Sequence, residues 1–405
     1  MAAMLDRPHL RGREIVCVGF ADWETDLWTN QQHLMSRLAR ENRVLFVESL
    51  GLRRPQLAGR DLARIVRRLR RGLRAPRAVD GLHVLSPLVA PLHGNAAVRA
   101  LNRRLLRAQA RRAARRLDMS RPILWAYVPQ AEALIEALDP EHVVYHCVDD
   151  AAAVEGIDAE SFRATERRFL AQADLVLASA PALATRMREL SGNVLYAPNV
   201  ADTALFARAL EPSSESDPAL AALPRPRIVF TGAIVATKLD VPLLAALARS
   251  RPEWSFALVG PVGPGDPRTD VSALRELPNI HLLGPRAYTQ LPAVLRAADA
   301  GLIPYARNPI TESVFPMKVY EYLAAGLPVV ATQLPALADV AEVLTAPDAE
   351  GIERLLGQAI ATDSPQRRAE RSRTAAAHSW ERRLEEIAAA VEALPAKRPR
   401  EVGGS

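Results

Sequence analysis

Lysine is rare in this chain, so the positions where it occurs are the first candidates for chemistry. The 405 residues contain three lysines and 49 arginines. Lys238 ends the stretch TGAIVATK, just after an apolar run typical of a strand, and Lys318 lies in PMKVYEY. An ammonium group is a compact point charge that suits a phosphate oxygen, whereas a guanidinium is larger and planar. Both lysines are therefore candidate phosphate contacts; chance survival on the surface is the alternative.

A carboxylate accompanies the second lysine. Pro316 suits the first turn of a helix and Gly326 suits its C-terminal end. Lys318 and Glu321, three residues apart, are therefore expected on one face of a short helix. A carboxylate accepts hydrogen bonds from ribose hydroxyls, and cations neutralise a pyrophosphate. The pair fits a nucleoside diphosphate, and a surface salt bridge worth less than about 1 kcal/mol is the alternative interpretation.

The elements that must position these groups alternate along the chain. Short apolar runs such as EIVCVGF and RIVFTG are separated by longer amphipathic stretches, which predicts parallel sheets covered by helices on both faces. A segment rich in Pro, Ser and acidic residues is typical of a linker. The predicted class is α/β, with two doubly wound, Rossmann-like domains. The predicted parts are a first domain over 1–210, the linker over 211–226, a second domain over 227–377, a helix over 378–394 and a disordered tail over 395–405.

The overall composition is that of a globular protein, with 49% hydrophobic and 24% charged residues. We find neither an apolar run of about 18 residues nor a signal-peptide pattern, so a cytoplasmic protein is expected. Cys17 and Cys147 both lie in strand-like runs. Their placement favours two buried thiols over a disulfide or a metal site.

Two arginine-rich stretches, 53–77 and 99–121, contribute strongly to the formal net charge of +6. The first has apolar residues at helical spacing, and such a helix can lie on an anionic membrane surface. This would make the protein peripheral at the inner membrane face; ordinary solvated helix faces are the alternative. Nucleic acid is disfavoured as a partner because neither a recognition motif nor interleaved aromatic residues accompany the arginines.

Several segments together resemble one known family. The block LIPYARNPITESVFPMKVYEYLAAGLPVVATQLPAL resembles the donor-binding signature of GT-B glycosyltransferases of the large family 4 (group 1) type, which includes bacterial cell-surface polysaccharide enzymes. RIVFTGAIVATK, NIHLLGPRAYTQLPAVLRAADAGLIPY, YAPNVAD and HSWERRLEEI resemble further landmarks. The resemblance spans the chain, most strongly in its second half. It implies two Rossmann-like domains facing across a cleft, with the C-terminal helix packing back on the first domain and a nucleotide-sugar donor bound mainly by the second.

The resemblance also implies roles for individual residues. Glu321 matches the carboxylate that binds the ribose, and Lys238 matches the lysine that contacts the diphosphate, so both are predicted to act in catalysis. Arg286 falls near the expected nucleobase pocket. The other predicted donor contacts are Gly232, Ala233, Asn308, Thr311, Ser313 and Lys318.

Two positions depart from the family pattern. The family often has an arginine where Ala233 stands, so Lys318 or Arg307 must supply the missing charge. It also often has two glutamates separated by seven residues, and the first of these positions is Ser313, one place from Glu312. Contacts to the donor sugar are therefore the least defined part of the predicted site.

Weaker signals come from the first half of the chain. Asp149, the first of two aspartates in the run YHCVDD, is predicted to contact the donor sugar or acceptor at the catalytic centre, with a helix cap or loop carboxylate as the alternative. The loop after the first strand contains Trp23, Trp28 and His33, and it offers a surface for a sugar or a lipid-linked acceptor. A purely structural His33 is the alternative.

The sequence therefore predicts a glycosyltransferase that moves a sugar from a nucleotide-sugar donor to a cell-surface glycan or lipid-linked acceptor, with the retention of configuration that the resemblance implies. No cofactor or metal is expected, because cations and amide dipoles can stabilise the departing diphosphate, and the chain has neither an Asp-x-Asp motif nor a His/Cys cluster with ligand spacing. Two alternatives stay open: a sugar-nucleotide epimerase of the same fold, and a catalytically silent binding protein.

Overall fold

The computed structural model divides into two compact units. The residues that it describes are 10–25, 27–49, 75–89, 96–154, 156–264, 266 and 268–397. The first unit comprises Met1–Ala197 together with Leu384–Ser405, and the second comprises Pro198–Arg383. Each unit is built around its own sheet.

The first unit has an eight-stranded sheet. Its strands are β1 (Glu14–Val18), β2 (Arg43–Val47), β3 (Arg77–Val79), β4 (Leu82–Leu85), β5 (Ile123–Ala126), β6 (Val143–Cys147), β7 (Leu175–Ala178) and β8 (Val194–Tyr196). They lie in the order β3-β4-β2-β1-β5-β6-β7-β8, and every pair is parallel except β3 with β4. The helices described here are α1 (Asn30–Leu38), α2 (Ala96–Arg116), α3 (Glu132–Leu138), α4 (Ala159–Leu170) and α5 (Pro181–Arg188).

The second unit has a six-stranded, wholly parallel sheet. Its strands are β9 (Arg227–Thr231), β10 (Ser255–Val259), β11 (Ile280–Leu282), β12 (Ala300–Ile303), β13 (Val329–Thr332) and β14 (Val343–Ala346). Its helices are α6 (Thr203–Ala207), α7 (Pro218–Ala221), α8 (Val241–Ser250), α9 (Ser272–Arg275), α10 (Leu291–Arg296), α11 (Pro309–Glu312), α12 (Lys318–Ala324), α13 (Ala349–Ala361) and α14 (Pro365–Ala375). A last helix, α15 (Trp380–Glu392), begins in this unit, and its residues from Leu384 onward belong to the first.

The strand order locates the switch point of the second sheet. The order is β11-β10-β9-β12-β13-β14, so the chain winds outward from β9 in one direction and then continues from β12 in the other. This is the Rossmann arrangement, in which ligands bind beyond the carboxyl ends of the strands where the winding reverses. The prediction of two doubly wound sheets is confirmed, and the loops after β9 and β12 become the first places to search for a site.

Tyr322 fixes helix α12 against this switch point. Its hydroxyl accepts a 2.7 Å hydrogen bond from the backbone N–H of Thr231 at the end of β9. Its ring lies over Gly301 in β12, where a Cβ atom would come within 2.3 Å of the ring. Because Tyr322 is fully buried, the helix that contains Lys318 and Glu321 has a fixed position relative to both central strands.

The boundary between the units differs from the sequence-based prediction. The division falls after Ala197, and the segment 211–226 belongs entirely to the second unit. That segment contains α7, and Asp217 at its start accepts a 2.7 Å hydrogen bond from Arg286 and donates its backbone N–H to the carbonyl of Ala293. Its Pro, Ser and acidic residues therefore form a packed surface segment of the second unit instead of an interdomain linker.

The structure bears on some of the other sequence-based predictions and not on others. Cys17 and Cys147 are free and buried, as predicted. Most of the arginine-rich stretch 53–77 lies outside the described residues, and so does the whole of the tail from 398 onward. Within the described part of the chain, no helix has the length and apolarity required to cross a membrane.

The loops after β9 and β10 meet backbone to backbone, and this contact yields a test. Gly260 has φ of +156°, and a Cβ there would lie 1.9 Å from the carbonyl oxygen of Gly232. We expect Gly260→Ala to lower the free energy of unfolding by about 2 to 4 kcal/mol, because both the clash and the backbone conformation oppose a side chain. Urea denaturation measures the change. Gly192→Ala is the control, since nothing lies within 4 Å of its Cβ position, and equal effects of the two substitutions would contradict the proposed contact.

Candidate functional site

Three loops converge at the carboxyl ends of β9, β10 and β12. The backbone N–H of Gly232, after β9, donates to the carbonyl of Val259 at the end of β10 over 2.9 Å. The carbonyl of Lys238 accepts from the N–H of Ala306, after β12, over 2.8 Å. These bonds hold the segment from Gly232 to Lys238 beside the switch point, where the second half of the sheet begins.

The ammonium group of Lys318 lies against this loop. Its Nζ donates a 2.7 Å hydrogen bond to the hydroxyl of Tyr305, and it lies 5.1 Å from the centre of the Phe230 ring. A Cβ atom on Gly232 would be 3.6 Å from the same Nζ. The absence of a side chain at Gly232 therefore leaves the backbone of the loop open to whatever the ammonium group binds.

Lys238 contributes a second positive charge to the same place. Burial raises the pKa of the Tyr305 hydroxyl, but the ammonium groups of Lys318 and Lys238 outweigh burial and leave that pKa below its ordinary value. Two ammonium groups thus act on one buried phenol. These two ammonium groups give the carboxyl ends of the central strands an excess of positive charge. An anionic ligand group bound there would neutralise that charge.

Glu321 supplies the negative charge of the site. Its side chain is only 6% exposed, and burial raises its pKa to about 7, against smaller opposing effects of Lys318 and of the Tyr288 hydroxyl. Within the described part of the chain, no ion pair joins Lys318 to Glu321. The interpretation of these two residues as an exposed surface salt bridge is therefore wrong, because the carboxylate is buried and the ammonium group bonds to Tyr305.

The loop after β12 is shaped by Asn308 and Thr311. The side-chain oxygen of Asn308 accepts hydrogen bonds from the N–H groups of Ile310 and Thr311 at 3.0 and 3.1 Å, and its amide donates to the carbonyl of Thr237. Thr311 is completely buried, and its hydroxyl donates to the carbonyl of Ala306. Both side chains therefore bond to the backbone of the loops: Thr311 within its own loop, and Asn308 also to the segment that contains Lys238.

Ser313 and Ala233 are both half-buried. Ser313 directly follows α11, and Ala233 follows Gly232. Neither side chain adds charge to the site. Lys318 therefore stands as the cation nearest to Gly232 among the described residues, at the place where the family pattern has an arginine after the glycine.

The side chain of Arg286 forms its hydrogen bonds within the second unit. Its Nε donates to Asp217 over 2.7 Å, and its terminal nitrogen donates to the carbonyl of Leu283 over 2.9 Å. Burial raises the pKa of Asp217, but the hydrogen bond from Arg286 outweighs burial and lowers it overall. Arg286 therefore anchors the loop after β11, and it is the nearby Tyr288 that interacts with Glu321.

Sequence reasoning missed three aromatic residues of this site: Phe230, Tyr288 and Tyr305. Tyr305 follows β12 by two residues, and Phe230 lies near the end of β9. Their signal was position, since aromatic side chains at the carboxyl ends of the central strands border the switch point. The sequence drew attention to the charged residues, and the aromatic rings beside the Lys318 ammonium group were not predicted.

Asp149 belongs to the first unit, where it follows β6 and is half-buried. Both carboxylate oxygens of the neighbouring Asp150 accept a hydrogen bond from Arg163, each at 2.6 Å. Glu166 is 1% exposed and accepts from Arg186 at 2.6 Å and from Tyr145 at 2.8 Å. This ion network fixes the chain at the carboxyl end of β6.

The loop after β1 is more deeply packed than its polar sequence suggested. The ring of Trp23 is buried edge-on against Phe46, and the backbone N–H of Trp23 donates to the carboxylate of Glu48. His33 is buried beside Trp28, and burial lowers its pKa to about 3, so it is neutral. These contacts support the structural interpretation of His33. Across the described residues, no three His, Cys, Asp or Glu side chains are grouped so that they could bind a metal ion.

The fold is that of the GT-B glycosyltransferases. The structure of Anabaena HepE with UDP and glucose matches with a TM-score of 0.64 at 14% identity, over 94% of this chain and 100% of that one. The sucrose-phosphate synthase of Thermosynechococcus elongatus matches with a TM-score of 0.65 at 15% identity, over 94% and 98%. A trehalose-phosphate synthase of Burkholderia vietnamiensis reaches 0.66 at 12% identity, over 96% and 98%. At these identities the likeness establishes the fold.

The sequence comparisons add a family-model match in the second unit. Residues 225–361 match the family model described as glycosyl transferases group 1, which confirms the resemblance recognised in the sequence. A candidate teichuronic acid biosynthesis glycosyltransferase of Bacillus subtilis (strain 168), TuaH, is 40% identical over 100 residues. That alignment spans 24% of this chain and 24% of the relative, so the match covers about a quarter of the relative's length.

The raised pKa of Glu321 gives a pH-dependent stability. Between the ordinary value of 4.5 and the value of about 7, the folded protein keeps a proton that the unfolded chain releases. The free energy of unfolding therefore falls as the pH rises through this interval and levels off above it. Relative to Glu321→Gln, we expect the wild type to lose about 3 kcal/mol between about pH 4.5 and pH 8.

Urea denaturation of both proteins across this pH range measures the difference. The substitution removes only the titrating proton and keeps the shape of the side chain, so other titrating groups cancel in the comparison. Parallel pH profiles for the two proteins would show that Glu321 is not held in a desolvating environment.

Proposed function

We propose that the protein is a glycosyltransferase whose second unit binds a nucleotide-sugar donor. The observation that supports this most strongly is the convergence of Lys238, Lys318 and Glu321 at the switch point of a Rossmann-type sheet. The family model over residues 225–361 covers the same strands and loops. The ammonium groups would contact the diphosphate, and the carboxylate would accept hydrogen bonds from the ribose hydroxyls.

UDP-sugars are the first donors to test, because structures of HepE of the same fold contain UDP or UDP-glucose. In the proposed reaction, the bond between the anomeric carbon and the phosphate oxygen breaks and an acceptor hydroxyl oxygen bonds to that carbon. The departing diphosphate gains negative charge as the bond breaks. Lys238 and Lys318 would stabilise that charge more strongly in the transition state than in the ground state, which accelerates the reaction.

Metal independence and retention of configuration are parts of this proposal. Two ammonium groups beside the Gly232 loop can neutralise a departing diphosphate without a divalent cation, so transfer should persist in the presence of EDTA. Retention is proposed by resemblance to the family. For the acceptor we propose a cell-surface glycan or its lipid-linked precursor, since TuaH is named for teichuronic acid biosynthesis. The first unit would bind this acceptor, with Asp149 as its polar contact.

Peripheral attachment at the inner membrane face is also proposed, and helix α2 supports it. Leu101 and Leu105 are 49% and 36% exposed on its outer surface. Within the described part of the chain, the exposed arginines that form no ion pair or hydrogen bond on this helix include Arg104, Arg112 and Arg115. Apolar side chains among unpaired cations are the combination that binds an anionic lipid surface.

Thermal unfolding with UDP tests the donor site. We expect UDP to stabilise the wild type by about 2.7 kcal/mol at a concentration ~100-fold above its Kd. Glu321→Ala and Lys238→Ala should each remove most of this stabilisation, because they remove a ribose contact and a phosphate contact. Glu276→Ala, an exposed carboxylate on the same unit, is the control and should respond like the wild type.

Unchanged stabilisation in both site variants would reject the donor site. UDP-glucose could also stabilise the protein without being hydrolysed or consumed in the presence of acceptor extracts. That result would favour a catalytically silent binding protein over a transferase. Release of UDP in EDTA-containing buffer, dependent on Lys238, supports the transferase.

Sedimentation with lipid vesicles tests the membrane surface. We expect the wild type to bind vesicles of phosphatidylglycerol and not of phosphatidylcholine. Reversing the charges of Arg104, Arg112 and Arg115 to Glu should weaken binding by about 100-fold or more, since each basic residue near the surface contributes roughly 1 kcal/mol.

The control reverses three exposed arginines of the second unit, Arg249, Arg275 and Arg354, which changes the net charge equally. If both triple variants lose binding to the same extent, attraction depends on net charge and α2 is not a membrane surface.

A further inference from the structure

The first unit contains a cavity that the proposed donor site does not use. It has a volume of about 330 Å³ and lies between α2 and α4, with the loop that precedes α3 at its side. Ligand sites usually have volumes of roughly 300 to 1,000 Å³, so this cavity is large enough for a small ligand or the head of a longer one. All its walls belong to one unit.

One wall of the cavity is apolar. Leu106 of α2 and Phe162 of α4 are 3% and 5% exposed, and both line it. Ala133, near the start of α3, also lines the cavity. Such a wall favours a hydrocarbon group, because removing apolar surface from water is favourable and the wall offers no polar partner.

The other wall has more positive than negative side chains. Arg103 and Arg168 approach the same carboxylate, that of Glu132, at 3.9 and 3.5 Å. Arg99 also lines the cavity, and Asp158 there is engaged as the cap of α4, where it accepts from the N–H of Ser161. Because one carboxylate is shared by two guanidinium groups at long distances, an added anion can pair with Arg103 and Arg168 more closely than Glu132 does.

An unsatisfied acceptor lies at the same place. Gln130 lines the cavity, and its Oε1 is buried without a hydrogen-bond partner among the described residues. A buried acceptor without a donor is unfavourable, and a ligand hydroxyl would satisfy it. The cavity therefore combines an apolar wall, excess guanidinium charge and a vacant acceptor.

We propose that this cavity binds a lipid phosphate, with the phosphate at Arg103 and Arg168, the first part of the chain against Leu106 and Phe162, and a hydroxyl of the head group at Gln130. The proposal rests on the proposed function in one respect: it identifies the acceptor of the transfer as a phosphate-linked lipid. A membrane phospholipid presents the same chemistry, and the two sources are separated by the choice of chain.

Isothermal titration calorimetry of the full chain tests the site with two soluble probes, farnesyl monophosphate for an isoprenoid chain and dihexanoyl phosphatidic acid for acyl chains. We expect at least one of these probes to bind the wild type in a buffer that contains no other phosphate. Arg103→Glu should weaken that binding by about tenfold or more, because a charge-assisted contact is replaced by repulsion. Arg168→Glu should have the same effect, which protects the test against misfolding of a single variant. Binding of the farnesyl probe alone assigns a lipid-linked acceptor, and binding of the acyl probe alone assigns a membrane phospholipid.

Arg116→Glu is the matched control, because Arg116 lies on the same helix, outside this cavity and outside the proposed membrane surface, and its reversal changes the net charge equally. Its affinity for the probes should stay within about twofold of the wild type. Inorganic phosphate and farnesol serve as control ligands, one without the chain and the other without the phosphate. Equal binding of inorganic phosphate, equal binding of farnesol, no binding of either lipid probe, or equal losses in Arg103→Glu and Arg116→Glu would each overturn the lipid-phosphate site. UDP binding by the second unit is measured separately, so failure of this proposal is distinguishable from failure of the donor site.

Discussion

The hydrogen bond from the Lys318 ammonium group to Tyr305 is the interaction on which the candidate site depends. It places a positive charge beside the open backbone of Gly232, over the ring of Phe230, at the switch point of the second sheet. The strand order brings Phe230 and Tyr305 close together. Strands β9 and β12 are adjacent in the sheet, although β10 and β11 lie between them in the sequence. Tyr322 then fixes α12 on both strands, so the ammonium group and the buried Glu321 are presented from a rigid helix.

Arginine and lysine have different tasks in this molecule. Several arginines act as structural ties: Arg286 connects Asp217 to the carbonyl of Leu283, and Arg227 donates to the carbonyls of Leu223 and Ala297. A guanidinium suits this because its planar array of donors can satisfy several acceptors at once. The two lysines of the second unit instead direct compact charge at Tyr305 and the Gly232 loop. This division explains why so arginine-rich a chain has lysine at these two positions.

Much of the fold could be predicted from the sequence. Nine strands are apolar runs in which nearly every residue is buried, namely β1, β2, β5, β6, β7, β9, β10, β12 and β13. Strands β3, β4, β8 and β14 were missed: β3 is an antiparallel edge strand paired with β4, all three residues of β8 are only half-buried, and only the first and last residues of β14 are buried. The linker was misplaced because Asp217 and Arg286 are far apart in sequence, so local composition could not reveal their contact. At the site, the charged pair was visible at helical spacing, whereas the roles of Tyr305 and Tyr288 depend on tertiary contacts that no local pattern encodes.

The central claim is that Glu321 and the two ammonium groups together bind the ribose and diphosphate of one nucleotide. A crystal structure of the protein with UDP tests it most directly. The account requires ribose hydroxyls within hydrogen-bond distance of the Glu321 carboxylate and diphosphate oxygens beside Lys238, Lys318 and the backbone of Gly232. A nucleotide bound elsewhere, or bound here with its ribose turned away from Glu321, would contradict it.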